Sequence, residues 1–418
     1  MPRLYSTLTV VIAPARPVAT PPWAEAMFTF GVTGTNGKTS TTHMLAAVVM
    51  AAGHSTLRVG TVGVALDDQP LTRGKTFQDF LATLRTVADR GCRHAVLEVT
   101  SQALAQGYAR AWRFDLGVFT NLSPDHFTTH GSWEHYLAAK AQLFVHLGPG
   151  RTAVLNAGDE HALFIDQATP PDVVRKWFAA PSRGPRLRDA DLEARSIELD
   201  PAGTTIELRP SAAAEQLGGR LRSKMIGEVF GENALAAALA GLSAGLPAEV
   251  VVRGIASCPV VPGRFEIIDH GHDRPTVAVD YAHSPDALAH TCATARKLAR
   301  KRVIVVFGAG GGSTPAKREP MGEVVGAAAE LAIVTNDNPR NEDPEAIAAM
   351  LESGLCRAGR AQVIVELDRR RAIERALEEA EAGDVVVVAG KGHEQGQRLR
   401  GRTLPFSDVE VLRELLGV

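Results

Sequence analysis

Short apolar runs of strand length alternate with helix-period segments along almost the whole chain. Strand-like runs fall at Met27–Val32, His94–Val99, Leu116–Thr120 and Ala153–Leu155. A second series falls at Thr276–Val279, Val303–Phe307, Ala332–Val334, Val363–Glu366 and Val385–Ala389. Helical periodicity occupies Trp133–Leu147, Asn233–Leu246, Asp286–Ala299 and Arg370–Ala382. This alternation predicts parallel sheets built from βαβ units. Thr204–Leu208, with glycine and proline around it, reads instead as a short antiparallel insertion. The pattern breaks at Pro259-Val260-Val261-Pro262-Gly263, where two prolines and a glycine mark a boundary between two α/β domains. The expected division is 1–26, an N-terminal arm and Pro-rich linker; 27–261, a first domain; and 262–418, a second.

Composition narrows the class without naming it. A chain of 418 residues is too long for one ordinary core. Its 45% hydrophobic and 22% charged residues are those of a soluble globular protein. A net charge of −2 gives no electrostatic case for nucleic acid, whose binders cluster basic surface. The run Asp368-Arg369-Arg370-Arg371, followed by Glu374, Glu378 and Glu379, reads as one solvated helix face. The apolar run Leu8–Ala13 is too short to span a membrane. Pro14, Pro17, Pro21 and Pro22 make the next stretch an extended arm. Cys92, Cys258, Cys292 and Cys356 lack CxxC spacing, which fits reduced thiols in a cytoplasmic protein rather than a zinc site or disulfide frame.

The chemistry begins at Gly31-Val32-Thr33-Gly34-Thr35-Asn36-Gly37-Lys38-Thr39-Ser40, between an apolar strand and the helix-like segment Thr41–Ala52. A glycine loop between strand and helix wraps backbone N–H groups around a nucleotide's phosphates. Lys38 then neutralises the β and γ oxygens, and the Thr39 hydroxyl takes a Mg²⁺ position. The strict pattern asks for glycine where Val32 stands, so the loop alone also admits an ordinary glycine-rich turn. With it, the fold class becomes α/β: a P-loop ATPase domain with a mainly parallel sheet, followed by a Rossmann-like α/β C-terminal domain. Glu98 ends an apolar strand, where a carboxylate points into the ligand crevice of a parallel sheet and suits a hard cation. An exposed strand-end glutamate is the plainer alternative. In the loop Thr120–Gly131, His126 and His130 each read alone as hydrogen-bonded loop histidines. Lys140 lies on an otherwise small and apolar helical stretch, so it either snorkels or has a task. Its ammonium cannot bind Mg²⁺, whereas its carbamate, formed with CO₂, can.

Taken together these residues resemble the Mur ligases, and most of all the MurE-type branch, the UDP-N-acetylmuramoyl-tripeptide synthetases. The matching motifs are Thr33–Thr39, Glu98-Val99-Thr100-Ser101, Thr120–His126, Ala139-Lys140, Asn233 and Pro262-Gly263-Arg264. Val279-Asp280-Tyr281-Ala282-His283, Asp337-Asn338-Pro339-Arg340 and Gly390-Lys391-Gly392-His393-Glu394 continue them in family order. The resemblance implies an ATP-dependent acid–amino-acid ligase of peptidoglycan synthesis, with ATP and Mg²⁺ as cofactors. Gly34, Thr35, Asn36, Gly37, Lys38, Thr39 and Ser40 would hold the phosphates. Asn233 would face adenine, Arg264 the phosphates across the domain cleft and Asp280 the ribose, with His283 in the same nucleotide set. Thr39, Glu98, His126 and a carbamylated Lys140 would be the metal ligands. Asp337, Asn338, Arg340, Gly390 and Glu394 would bind a diaminopimelate-like amino acid, Arg340 forking onto a carboxylate.

The same resemblance has gaps, and they fall on acceptor recognition. Too few residues precede the P-loop for the front domain that grips the UDP-sugar in family members, so a partner chain is one route to acceptor binding. Lys75-Thr76-Phe77 replaces an expected Thr-Pro, Gln102 replaces a histidine, and Tyr108 stands where a substrate-binding arginine is expected. Gly312-Ser313-Thr314 replaces a charged triplet, with Lys317-Arg318 and Met321-Gly322 retained. A kept catalytic set with altered recognition points to an active ligase joining an amino acid to a small-molecule or peptide carboxylate. The alternatives are another acceptor, such as a folate glutamate tail, a peptide or a secondary metabolite, or an inactive ATP-binding regulatory homologue. A plain P-loop NTPase leaves Lys140 and Asp337–Arg340 without a purpose.

Overall fold

The computed structural model describes residues 21–74, 76–123, 130–271, 273–312 and 314–418. Lys75, His126, Ser313 and most of the expected arm lie outside them.

Eleven strands form the first sheet: β1 (Phe28–Thr33), β2 (Thr56–Gly60), β3 (Gly63–Leu66), β4 (Gln69–Leu71), β5 (His94–Glu98), β6 (Leu116–Phe119), β7 (Thr152–Asn156), β8 (Val174–Ala179), β9 (Leu192–Asp200), β10 (Gly203–Leu208) and β11 (Arg220–Ser223). Their order is β11-β10-β9-β8-β7-β6-β1-β5-β2-β3-β4. The stretch from β9 to β2 is parallel throughout, and an antiparallel extension closes each end. The second sheet holds β12 (Glu266–Ile267), β13 (Thr276–Asp280), β14 (Val303–Phe307), β15 (Leu331–Val334), β16 (Gln362–Val365) and β17 (Val385–Ala389), in the order β12-β13-β17-β14-β15-β16. It is parallel except for β12. A hairpin of β18 (Gly396–Leu399) and β19 (Arg402–Pro405) follows.

The strand sequences explain the layers. All five residues of β14, Val-Ile-Val-Val-Phe, and all five of β17 are buried, as expected where helices cover both faces of a parallel sheet. The sequence reading missed β2–β4, β8, β9, β11, β12 and the late hairpin. Their side chains are mixed or alternately exposed, like the Leu-Glu-Ala-Arg-Ser-Ile-Glu-Leu-Asp of β9, and give no continuous apolar run.

Side-chain caps fix the starts of several helices. Thr76 and Asp79 cap helix Phe77–Asp89 reciprocally. Ser132 accepts from His135 N at the start of helix Trp133–Val145, and Ser284 accepts from Ala287 N ahead of Pro285–Leu298. Pro22 and Trp23, the end of the stretch expected to be extended, instead begin a 3₁₀ turn, Pro22–Ala26, whose Trp23 packs against Trp112 with ring centroids 5.8 Å apart.

The arginine run also differs from its reading as a solvated face. Asp368 caps helix Arg369–Glu379, and the next residue, Arg369, is buried. Its Nε and Nη2 donate to the two Asp408 carboxylate oxygens at 2.7 and 2.8 Å, and Nη2 also donates to Ala389 O at 2.9 Å. Burial opposes the charge, but Asp408 outweighs it and holds the guanidinium above its ordinary value. Only Arg370 and its neighbours lie in solvent, Arg370 pairing with Glu414. The partner of Arg369 is 39 residues away, so local charge pattern carried no sign of it.

Arg369→Ala strands a buried carboxylate and should cost about 3–5 kcal/mol in urea unfolding followed by circular dichroism. Arg370→Ala should change little, and equal losses would refute the assignment. On the helix after the P-loop, His43 faces Arg58 Nη1 at 2.7 Å. Burial, then Arg58 and Arg264, hold its imidazole near a pKa of about 3. Below the unfolded value of 6.5 the unfolded chain takes a proton that the folded chain refuses. Stability from this site is therefore complete above pH 6.5 and drains away as pH falls toward about 3. His43→Gln should flatten that slope between pH 7 and 4.5; an unchanged slope would contradict the buried neutral state.

Candidate active site

The carboxyl ends of β5, β1 and β6 lie side by side, and each delivers part of one site. Val32 of β1 pairs with Glu98 of β5, which fixes the glutamate beside the glycine loop. The loop leaves β1 and enters helix Lys38–Ala51 through Gly37, whose φ of +83° favours glycine. A Cβ at Gly37 would come within 2.3 Å of Asn233 Oδ1, and one at Gly34 within 1.9 Å of Thr120 Oγ1. The loop backbone is thus held where a side chain cannot fit. Thr35 N donates to Asn121 O at 2.8 Å, Asn36 N to Asn121 Oδ1 at 3.0 Å, and Thr120 Oγ1 to Asn36 O at 2.6 Å. A backbone loop at a helix N-terminus fixed in this way suits an anion.

Lys38, Thr39, Glu98 and Arg264 converge at the loop. The Lys38 ammonium donates to Thr35 O at 2.8 Å. Thr39 Oγ1 donates to Glu98 Oε2 at 3.0 Å and accepts from Arg264 Nη2 at 3.1 Å. Thr61 donates its N–H to Glu98 Oε2 at 2.9 Å and its hydroxyl to Oε1 at 2.8 Å. Burial works against the Glu98 charge, but Lys38, Thr61 and Arg264 together hold its carboxyl below the usual range. A hydroxyl and an ionised carboxylate side by side form a hard oxygen donor set that fits Mg²⁺. Lys140 is buried; it donates to Gly34 O at 2.6 Å, with its ammonium 4.5 Å from the Tyr136 ring centre. Tyr136 OH in turn meets Thr35 Oγ1 at 3.0 Å.

The C-terminal sheet closes the other side. Asp280, ending β13, accepts from Phe265 N at 2.7 Å, Ala282 N at 2.9 Å and Thr291 Oγ1 at 2.9 Å. Burial pushes its carboxyl up, with Arg264 the main opposing charge. The Arg264 guanidinium lies 4.8 Å from the Tyr281 ring centre, and His283 Nδ1 meets Tyr281 O at 2.7 Å. Asn36 Nδ2 reaches across to Asp286 Oδ2 at 2.7 Å. A cavity of about 280 Å³ runs between the two domains, lined by Lys38, Ser40, Asn233, Arg264, Asp280 and His283 among others.

A second cluster lies at the carboxyl ends of β15 and β17. Asn338 Nδ2 donates to Glu394 Oε2 at 2.8 Å, and the buried Lys391 donates to Glu394 Oε2 at 3.0 Å and Asn338 Oδ1 at 3.2 Å. Lys391 lies 3.9 Å from Asp337 Oδ1, and a Cβ at Gly390 would sit 3.6 Å from Asp337 Cγ. Burial raises the Asp337 carboxyl against the pull of Arg369 and Lys391. Burial opposes the Glu394 charge too, but Asn338 and Lys391 hold that carboxyl low. Arg340 has a φ of +57° and donates its N–H to Arg398 O at 2.8 Å. A non-glycine residue in that region is strained and is held by its surroundings.

The expected nucleotide residues therefore gather at the domain cleft, and Asp337, Asn338, Gly390 and Glu394 at a neighbouring cluster, whereas the Arg340 side chain lies by Gly312. Sequence reasoning did not single out Thr61, Asp286 or Lys391. Thr61 grips Glu98 from 37 residues away, a distance that leaves no local trace. Lys391 stood inside a recognised motif without a role. Among the described residues no group of three or more His, Cys, Asp and Glu is placed to hold a metal, and His126 lies outside them.

Residues 32–241 match the Mur ligase middle domain, and residues 263–392 match the Mur ligase, glutamate ligase domain. The UDP-N-acetylmuramoyl-L-alanyl-D-glutamate–2,6-diaminopimelate ligase of Solibacter usitatus (strain Ellin6076) is 41% identical over 92% of this chain and 76% of its own length. The enzyme of that name from Aquifex aeolicus (strain VF5) is 34% identical over 94% of this chain and 78% of its own. A solved ligase of that name superposes with a TM-score of 0.65 at 32% identity, covering 94% of this chain and 78% of that one. Mycobacterium tuberculosis folylpolyglutamate synthase, complexed with ADP and AMPPCP, shares the fold at a TM-score of 0.71 and 19% identity, covering 95% and 92%. With both family domains matched in order around one cleft, the chain belongs to the Mur ligase family, the ATP-dependent amide-forming ligases.

Proposed function

We propose that this ligase joins the amine of a diaminopimelate-like amino acid to a carboxylate acceptor through an acyl phosphate, with domains meeting between residues 261 and 262. The observation that carries the reading is the meeting of Lys38, Thr39 and Glu98 with Arg264 from across the cleft. Thr39, Glu98 and His126 would hold one Mg²⁺ and a carbamylated Lys140 a second, supplying positive charge against the crowded phosphates. Lys38 leaves the Thr35 carbonyl to neutralise the β and γ oxygens of ATP, and Arg264 turns from Thr39 to the same phosphates. Asn233 faces adenine, and Asp280 accepts from the ribose hydroxyls.

An acceptor carboxylate oxygen attacks the γ-phosphorus, the bond to the β-phosphate oxygen breaks, and ADP departs. The amino acid's free amine then attacks the acyl carbon. The new C–N bond forms, the C–O bond to phosphate breaks, and a proton from the amine leaves with the phosphate. Water would destroy the acyl phosphate, so contacts such as Asn36 to Asp286 serve to keep the cleft shut.

Asp337, Asn338, Arg340, Gly390 and Glu394 form the amino-acid pocket, with Arg340 offered to a carboxylate. The curated relatives' name specifies 2,6-diaminopimelate, which suits that pocket. Buried free thiols at Cys92, Cys258 and Cys292 fit a cytoplasmic enzyme, and no helix among the described residues is long and apolar enough to cross a membrane.

Lys38→Ala and Glu98→Ala should each abolish ADP production from ATP, acceptor and amine; near-normal rates in either would sink the site assignment. Lys140→Ala should lose most activity and recover part of it with added short carboxylic acids. Full activity without them would remove the carbamate role. Arg340→Ala should raise KM for the amino acid far more than KM for ATP, and steady-state kinetics against each substrate separates the two.

A further inference from the structure

The hairpin β18–β19 supplies none of the residues expected to bind the amino acid, yet it is hydrogen-bonded along residues 336–340, which include Asp337, Asn338 and Arg340. The Gln397 side-chain amide donates to Asn336 O at 3.3 Å and to Asp337 O at 3.1 Å. Arg398 N donates to Asn338 Oδ1 at 2.9 Å. Arg340 adds a rung to the hairpin: its N–H donates to Arg398 O at 2.8 Å, and its carbonyl accepts from Arg400 N at 2.5 Å. The opposite side of the segment is held as closely. Gly311 N donates to Asn338 O at 2.9 Å, and a Cβ at Gly311 would come within 1.9 Å of Pro339 O. Residues 336–340 thus lie clasped between a glycine loop and the hairpin.

Each hairpin contact fixes something that an unsupported loop would leave open. An asparagine amide can face either way round; with Oδ1 of Asn338 taken by Arg398 N and Lys391, its Nδ2 is the group that meets Glu394. Arg340 has a φ of +57° and Arg400 a φ of +48°, a left-handed conformation that non-glycine residues rarely adopt. The backbone bond between them holds both in it. From that conformation the Arg340 side chain runs toward Gly312, its Nη1 3.4 Å from where a Gly312 Cβ would sit. Gln397 bridges two consecutive carbonyls just ahead of this turn, which keeps the approach to Arg340 on one path.

Resting on the amino-acid pocket described above, we propose that the hairpin is its positioning element and that Gln397 acts through Arg340. Ordering the segment before the ligand arrives removes a cost from binding. Without the Gln397 amide the two carbonyls lose a donor, the segment gains alternative paths, and Arg340 is no longer committed to the turn that aims it at a carboxylate. Gln397 itself touches no ligand atom.

The test titrates 2,6-diaminopimelate calorimetrically into the full chain with ADP and Mg²⁺, and ADP with Mg²⁺ in a separate run. Gln397→Leu keeps the bulk of the side chain and removes both donors. It should weaken diaminopimelate binding about tenfold and leave ADP binding unchanged. Arg340→Ala should weaken diaminopimelate as well, and the double variant should bind it no more weakly than Arg340→Ala alone, because a residue acting through Arg340 then has nothing left to position. Thr403→Ala, on the other strand of the hairpin, should bind both ligands like the unaltered chain. Gln397→Glu, of the same shape and without the donor, takes the place of Gln397→Leu if that variant does not fold. Unchanged diaminopimelate binding in Gln397→Leu, a loss shared equally with ADP, or losses that multiply in the double variant would overturn the proposal. Normal diaminopimelate binding by Arg340→Ala, or none by the unaltered chain, would instead defeat the pocket reading itself, and the hairpin's role with it.

Discussion

Everything in this molecule hangs on the crowding of one turn. Between Gly34 and Lys38 the backbone passes so close to Thr120 and Asn233 that no Cβ fits at Gly34 or Gly37. Asn121 and Thr120 lock that path from a neighbouring strand end, and Lys140 pins the Gly34 carbonyl from below. A loop fixed before any anion arrives loses little entropy on binding one, which is the advantage of preorganisation. The parallel order β6-β1-β5 exists to bring those three strand ends together, and the rest of the first domain supports that alignment.

The second domain completes the site rather than merely covering it. Arg264 and Asp286 reach Thr39 and Asn36, so groups that touch the phosphate loop come from both sides of the boundary. A site divided in this way takes its charges from both domains, with the Arg264 guanidinium reaching the phosphate-loop helix from across the boundary. The buried pair of Arg369 and Asp408 braces the neighbouring Asn338–Glu394 cluster, tying the last helix to the carbonyl of Ala389 just before Gly390.

Sequence alone was informative where chemistry and local pattern coincide. The P-loop and the strand-end carboxylate Glu98 were legible because each adjoins an apolar strand, whereas Asp280 and the Asp337–Arg340 segment stood out only through the resemblance to the Mur ligases. The parallel cores of both sheets were legible from their apolar runs. Partners distant along the chain were not. Nothing near Glu98 announces Thr61, nothing near Arg369 announces Asp408, and the charge run around Arg369 pointed the wrong way. Strands such as β8 and β9 lack the apolar continuity that marks a buried strand, and only their neighbours in the sheet define them.

The central claim is that this cleft activates a carboxylate with the γ-phosphate before the amine attacks. The most direct measurement follows an acceptor labelled with ¹⁸O in both carboxylate oxygens through turnover, with mass spectrometry of phosphate and product. Acyl-phosphate chemistry places one labelled oxygen in the released phosphate and leaves the other in the amide. Unlabelled phosphate, with both labels retained on the acceptor, would mean that water took the phosphoryl group and would contradict the account.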